Sequence, residues 1–318
     1  MSRPHGLLRA GYPYLKTLGM RRVTNFPVDI AFSGDGDAYI LLKTGGIRVW
    51  PLEDMDLLPD DLKVIGGTGT DDGQFTWPVQ LITDHNGHIY VSDEATHLIT
   101  RFDENGKFHS KWGIQGSGDG EFDGPTGLAF DPDGDFVVVD SKNHRIQKYT
   151  SDGKYLTGFG SHGTDPGQLN LPWGVHVDEL GDIYVADWGN NRLQVYSSDG
   201  EIKNVIGDSG TGAGEFNRPT GIAVDAHGDI YVSDWGNNRV QLFNAEGQYI
   251  WSFRGDASLS RVARQYMMTN AVSNRLREAG TLEQEQYLRR PTSVRIDQEF
   301  RLFITDNESY RIQIYQKD

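Results

Sequence analysis

Asp29, Glu94, His97 and His176 are the side chains of this sequence best suited to holding a divalent cation, calcium or another, because such ions take carboxylate oxygens and imidazole nitrogens. Lys43, Arg290 and Arg295 would polarise an anionic substrate beside that ion. A catalytic set of Glu94, His176, Lys43 and Arg295 would then make a metal-assisted lyase or hydrolase. A different chemistry is offered by Trp173, Trp188, Trp235 and Tyr310, with Asp29, Gln80 and Arg290. Aromatic surfaces of that size bury much area and anchor ligands. The 318 residues include no cysteine, which excludes disulfides, a thiolate nucleophile and cysteine-bound zinc.

These residues stand out because each departs from a repeat. Units begin at Pro27, Pro78, Pro125, Pro172, Pro219 and Pro291, at spacings of 51, 47, 47, 47 and 72 residues. Three identical intervals of this length signal stacked supersecondary units. On the first strand of each unit, the slot of Ala31, Ala129 and Ala223 holds Ile82, His176 and Arg295 in the other three. Just after the proline stand Asp29, Gln80 and Trp173, against Thr126, Thr220 and Thr292. The loop after the second strand adds Lys43, Glu94, His97, Trp188, Trp235, Asn190, Asn237, Glu308 and Tyr310.

Each unit reads as four short strands. An apolar one such as Gly221–Val224 leads through a turn to Ile230–Ser233, then to an alternating Arg239–Phe243 and a last strand within Gln248–Phe253. Asn86-Gly87, Asp133-Gly134 and Asp152-Gly153 supply the positive φ angles that tight hairpins need. Six such units predict an all-β, six-bladed β-propeller. The last unit supplies only three strands, and Tyr12–Gly19 is an orphan with the fourth-strand pattern. The N-terminal strand is therefore expected to close the ring, leaving residues 1–318 as one domain. The 72-residue interval predicts a helical insertion over about 256–290. Ser258 or Ser260 would cap it, and Leu259, Val262, Ala263, Tyr266, Met267, Ala271 and Val272 recur at threes and fours. Thr281 to Gln284 reads as the capping box of a second short helix. The insertion joins blade five to blade six on one face of the ring, as a lid, a partner surface or a packed flap.

The Pro-x-Gly-(Ile/Val)-Ala-(Val/Phe)-Asp, Ile-Tyr-Val-x-Asp and Asn-(Asn/His)-Arg-(Ile/Val)-Gln segments resemble the NHL repeat over nearly the whole chain, best in blades three to five. Blade one departs most, with Leu42 where Asp93, Asp140, Asp187, Asp234 and Asp306 stand, and blade two has Leu98 in place of the repeat arginine. The resemblance implies the propeller fold, with a site on the face that carries the insertion. Among similar proteins, the peptidyl-hydroxyglycine amidating lyases hold zinc by histidines directly after the repeat proline. Here those positions are Val28, Val79, Thr126, Trp173, Thr220 and Thr292, and the lyase tyrosine corresponds to Trp188 or Trp235. The resemblance therefore implies the fold and not that activity.

Residues repeated once per blade belong to the scaffold. Asp140/Arg145, Asp187/Arg192, Asp234/Arg239 and Asp306/Arg311 read as structural ion pairs, and His144 shares the slot of Asn191 and Asn238. Asp131 to Asp135 has the look of a calcium loop but lacks the downstream glutamate, so it reads as a hairpin turn. A net charge of −15 argues against nucleic acid, which needs clustered cations. No apolar run reaches about 18 residues, so no membrane span is expected. Arg3, Arg9 and Lys16 interrupt any leader-like segment, and the expectation is a soluble, cytoplasmic protein. The leading functional expectation is a binding propeller whose lidded face takes a small molecule, peptide or protein. The alternative is the metal-assisted enzyme.

Overall fold

The alternating, hairpin-punctuated repeats form six four-stranded antiparallel sheets. The structure, a computed structural model, describes residues 11–20, 23–34, 36–54, 62–260, 263–265 and 286–317. The inner strands are Pro27–Phe32, Pro78–Thr83, Pro125–Phe130, Val175–Val177, Pro219–Val224 and Pro291–Ile296. Second strands such as Ile89–Asp93, Ile183–Asp187 and Ile230–Asp234 are buried at every position. This fits a sheet sandwiched between two neighbours, whose middle strands lose both faces to packing. The cores accordingly lie between blades. Val137 and Val139 of blade three pack with Val175, Ile183 and Val185 of blade four, and Ile30 and Ile40 of blade one pack with Phe303 and Ile312 of blade six. Each such side chain contributes about 1.5–3 kcal/mol on full burial.

The repeated polar residues pin each blade to the loop that enters it. Asp140, Asp187, Asp234 and Asp306 accept from the Nε of Arg145, Arg192, Arg239 and Arg311 at 2.7–2.8 Å. Their other oxygens accept the backbone N–H of Asp123, Asn170, Asn217 and Arg289. The arginines also donate to loop carbonyls, as Arg239 does to Thr211, Gly212 and Glu215. These are scaffold groups. Their partners are all inside the repeat, and none is left to face a substrate.

The next slot explains why histidine and asparagine interchange there. His97, His144, Asn191 and Asn238 adopt left-handed backbone with φ of 55–60°. Each side chain accepts the N–H of the residue preceding the next blade's proline: Gly124, Leu171, Arg218 and Arg290 respectively. An imidazole Nδ1 and an amide Oδ1 are equivalent acceptors at this reach.

Ring closure is as the orphan strand implied. Tyr14–Leu18 pairs antiparallel with Arg311–Gln316, placing Thr17 opposite Gln313 and Leu18 opposite Ile312. It is the outermost strand of blade six. Past the ladder, Lys317 Nζ contacts Asp225 and reaches Asp229 at 2.9 Å, and Tyr12 Oη lies 2.9 Å from Tyr231 Oη. The first and last strands of the chain are thereby tied to blade five at one end of the closing sheet.

Between blades five and six, residues 263–265 are helical. Ser260 caps this turn, its Oγ accepting the N–H of Ala263 at 3.1 Å and donating to the Gly19 carbonyl at 2.7 Å. Residues 256–260 and 286–290 of the expected insertion are not helical, and the remainder, including Val262, Tyr266, Met267, Ala271, Val272 and the Thr281–Gln284 helix, lies outside the described residues. No helix among the described residues is long and apolar enough to cross a membrane.

Candidate functional site

Three slots of the repeat converge at one mouth of the central channel. The first is the residue before the repeat proline, the second follows the second strand, and the third opens the inner strand. In blades one, four and five the second slot holds Lys43, Trp188 and Trp235, the two tryptophans opening short 3-10 turns, Trp188–Asn190 and Trp235–Asn237. In blades one, two, five and six the first slot holds Phe26, Trp77, Arg218 and Arg290, and all but Trp77 have positive φ. That uncommon backbone, held for the two arginines by the Asn191 and Asn238 acceptors, aims the side chain at the neighbouring blade.

The result is a set of indole–cation pairs across adjacent blades. Lys43 Nζ sits 3.6 Å from the Trp77 ring, the Arg218 guanidinium 4.7 Å from Trp188, and the Arg290 guanidinium 4.5 Å from Trp235. Lys43, Arg290 and the three indoles line a cavity of about 320 Å³, whose walls also include Phe26 and Trp173.

At the cavity floor, Arg295 spans three blades. Its Nε donates to the Ile30 carbonyl and Nη1 to the Ile222 carbonyl, both at 3.2 Å, and Nη2 donates to Asp29 at 2.8 Å. Asp29 is buried, and it also accepts from the Leu81 N–H at 3.0 Å and from the Ser293 hydroxyl. Gln80 is likewise committed, donating to the Leu128 carbonyl at 2.7 Å.

Of the residues the sequence singles out, Asp29, Lys43, Gln80, Trp173, Trp188, Trp235, Arg290 and Arg295 line this cavity. Glu94, His97, His176 and Tyr310 do not. Glu94 pairs with Lys142 at 3.1 Å. His97 spends Nδ1 on the Gly124 N–H. Tyr310 stacks edge-on against Phe26, one layer behind the wall, with centroids 4.7 Å apart. His176 faces Tyr184 across the ladder in the channel, its pKa pushed down to about 3 by burial and then by the charge of Arg295. So low a value makes it neutral and weakly basic at neutral pH.

The four expected metal ligands do not form one cluster: Glu94 and His97 both flank Gly124, Asp29 is bound to Arg295, and His176 faces Tyr184. Among the described residues, no three His, Asp or Glu side chains gather where a metal ion could sit. Of the expected catalytic set, only Lys43 and Arg295 share the cavity. Sequence reasoning missed Phe26 and Trp77. The signal was available, since the pre-proline slot varies between blades as widely as the slots that were compared.

Six four-stranded blades around a channel with its cavity at one mouth define a six-bladed β-propeller. The family described as 6-bladed beta-propeller matches residues 175–317, and the NHL repeat matches residues 122–149. The chain is thus a six-bladed propeller carrying the NHL repeat. No curated protein matches it in sequence. Among solved structures, it resembles a catalytically inactive virginiamycin B lyase from Staphylococcus aureus with quinupristin, at 15% identity and a TM-score of 0.60, covering 97% of this chain and 89% of that one. A streptogramin B lyase is similar at 13% identity and a TM-score of 0.59, over 95% and 97%. A protein of unknown function from Bacteroides thetaiotaomicron matches at 16% identity and a TM-score of 0.63, over 97% and 73%. At such identities the likeness is one of fold.

Proposed function

We propose that this propeller is a binding protein whose channel-mouth cavity holds a small organic molecule. The observation that carries this reading is the convergence of Trp77, Trp173, Trp188 and Trp235 on one concavity. Trp77 is left 44% exposed there. Buried tryptophan would serve stability, whereas indoles lining a polar-rimmed concavity leave apolar area for a ligand to cover, worth about 25 cal/mol per Å². The metal-assisted lyase or hydrolase finds less support, because Glu94, His97 and His176 lie outside the cavity and Asp29 is saturated by its own partners.

The reading is tested by screening the small-molecule fraction of a cell extract for compounds that quench tryptophan fluorescence and raise the melting temperature. A ligand at this site should bind at least about tenfold more weakly to Trp188→Ala or Trp235→Ala, a loss of about 1.4 kcal/mol. Ligands indifferent to both substitutions, or no ligand at all, would overturn it.

A further inference from the structure

Resting on that reading, we infer that the cavity selects an organic anion: a flat apolar body held between the indoles, with a carboxylate set down on Arg295. A guanidinium carries five N–H donors in a rigid fork. Three are spent, on Ile30, Ile222 and Asp29, and these fix its plane at the cavity floor. The other two N–H groups have no acceptor among the described residues, in a side chain 16% exposed. A partly buried fork with unspent donors favours an acceptor, and a carboxylate is the acceptor whose charge and geometry suit it.

Charge at the rim points the same way. Asp29 neutralises Arg295, and Glu308 pairs with Arg290 at 3.2 Å. Lys43 has no carboxylate partner among the described residues and rests on an indole face alone. The mouth therefore holds one uncompensated cation in a chain of net charge −15. Screening limits the reach of the remaining charge to about 8–10 Å, so the local cations decide what enters. A cationic ligand would meet Lys43, Arg290 and Arg295 at the cavity wall, and a neutral carbonyl would accept from Arg295 without answering the charge of Lys43.

The experiment measures binding of three probes of one shape, 2-naphthoate, 2-naphthamide and 2-naphthylmethylammonium, by tryptophan fluorescence and calorimetry. The naphthoate should bind at least about tenfold more tightly than the amide and lose affinity as salt is raised. Lys43→Gln should cut naphthoate affinity about three- to tenfold while leaving the amide nearly unchanged, the size expected of a partly exposed charge. Arg295→Lys should narrow the gap between acid and amide. Should that variant misfold, the wild-type comparison still decides. Equal binding of acid and amide, or preference for the ammonium probe, would overturn the anion inference and leave the cavity reading standing. If no probe binds while the extract screen still yields a Trp188-dependent ligand, the inference fails alone. If neither yields binding, the cavity reading fails with it.

Discussion

His176 shows why a departure from the repeat is a clue to environment before it is a clue to function. The same slot holds Ala31, Ala129 and Ala223 in sibling blades, so nothing in the scaffold demands an imidazole there. In the channel its pKa falls to about 3, through burial first and the Arg295 charge second. The folded state thus resists protonation that the unfolded chain accepts below about pH 6.5. Stability that is intact above that value should drain away as pH falls toward 3, by up to about 1.4 kcal/mol per pH unit. Urea unfolding at about pH 7 and about pH 4 should show a larger loss for the wild type than for His176→Ala, by about 2 kcal/mol. Parallel losses in the two proteins would mean that His176 titrates as an exposed histidine does. Comparison of slots thus found real singularities, Arg295 and Trp188 among them, but could not separate those facing a cavity from those facing only their neighbours. Trp77 escaped because its slot lies before the proline taken as the start of the unit.

At the level of strands and blades, sequence was most informative, because hairpin turns and apolar strands recur at a fixed spacing. The scaffold role of Asp234 and Arg239 followed from recurrence alone. What recurrence could not convey is how close the inner strands come. Gly127, Gly174 and Gly221 occupy the slot of Asp29, Gln80 and Ser293. A Cβ on Gly174 would meet the Thr220 carbonyl oxygen at 2.0 Å, and one on Gly221 would meet the Ser293 Cα at 2.6 Å. Glycine here lets blades three to six crowd together, while Asp29 and Gln80 bridge the gaps beside blades one and two with hydrogen bonds. The cavity floor inherits that asymmetry. Gly174→Ala should therefore force blades four and five apart and cost about 1–3 kcal/mol or more, although its backbone is not in the left-handed region. Thermal unfolding would show it. A variant as stable as the wild type would mean that the inner strands tolerate that separation.

On the scale of the whole molecule, the sheet that closes the ring draws three strands from one end of the sequence and one from the other. Closing a loop of this length costs entropy in advance of the contacts that reward it, and each doubling adds only about 0.6 kcal/mol. Once closed, every blade has two neighbours, which distinguishes the ring from an open array whose terminal repeats fray independently. Leu18 sits in the closing ladder opposite Ile312 and is buried, so Leu18→Pro removes a ladder donor at the seam. The damage should not stay there. Trp188 and Trp235 lie in blades four and five, yet their fluorescence transition in urea should move to lower denaturant together with the far-UV circular dichroism transition, by the equivalent of about 3 kcal/mol or more. A seam that instead melted early, with the tryptophan transition unmoved, would show blades four and five to be stable without closure. The indole-lined cavity would then no longer depend on Tyr14–Leu18. Under the closed-ring account it does, because Arg295 on the blade that the strand completes reaches to Ile30 on one side and Ile222 on the other. Weakening the seam should accordingly weaken ligand binding at a cavity that the closing strand never touches.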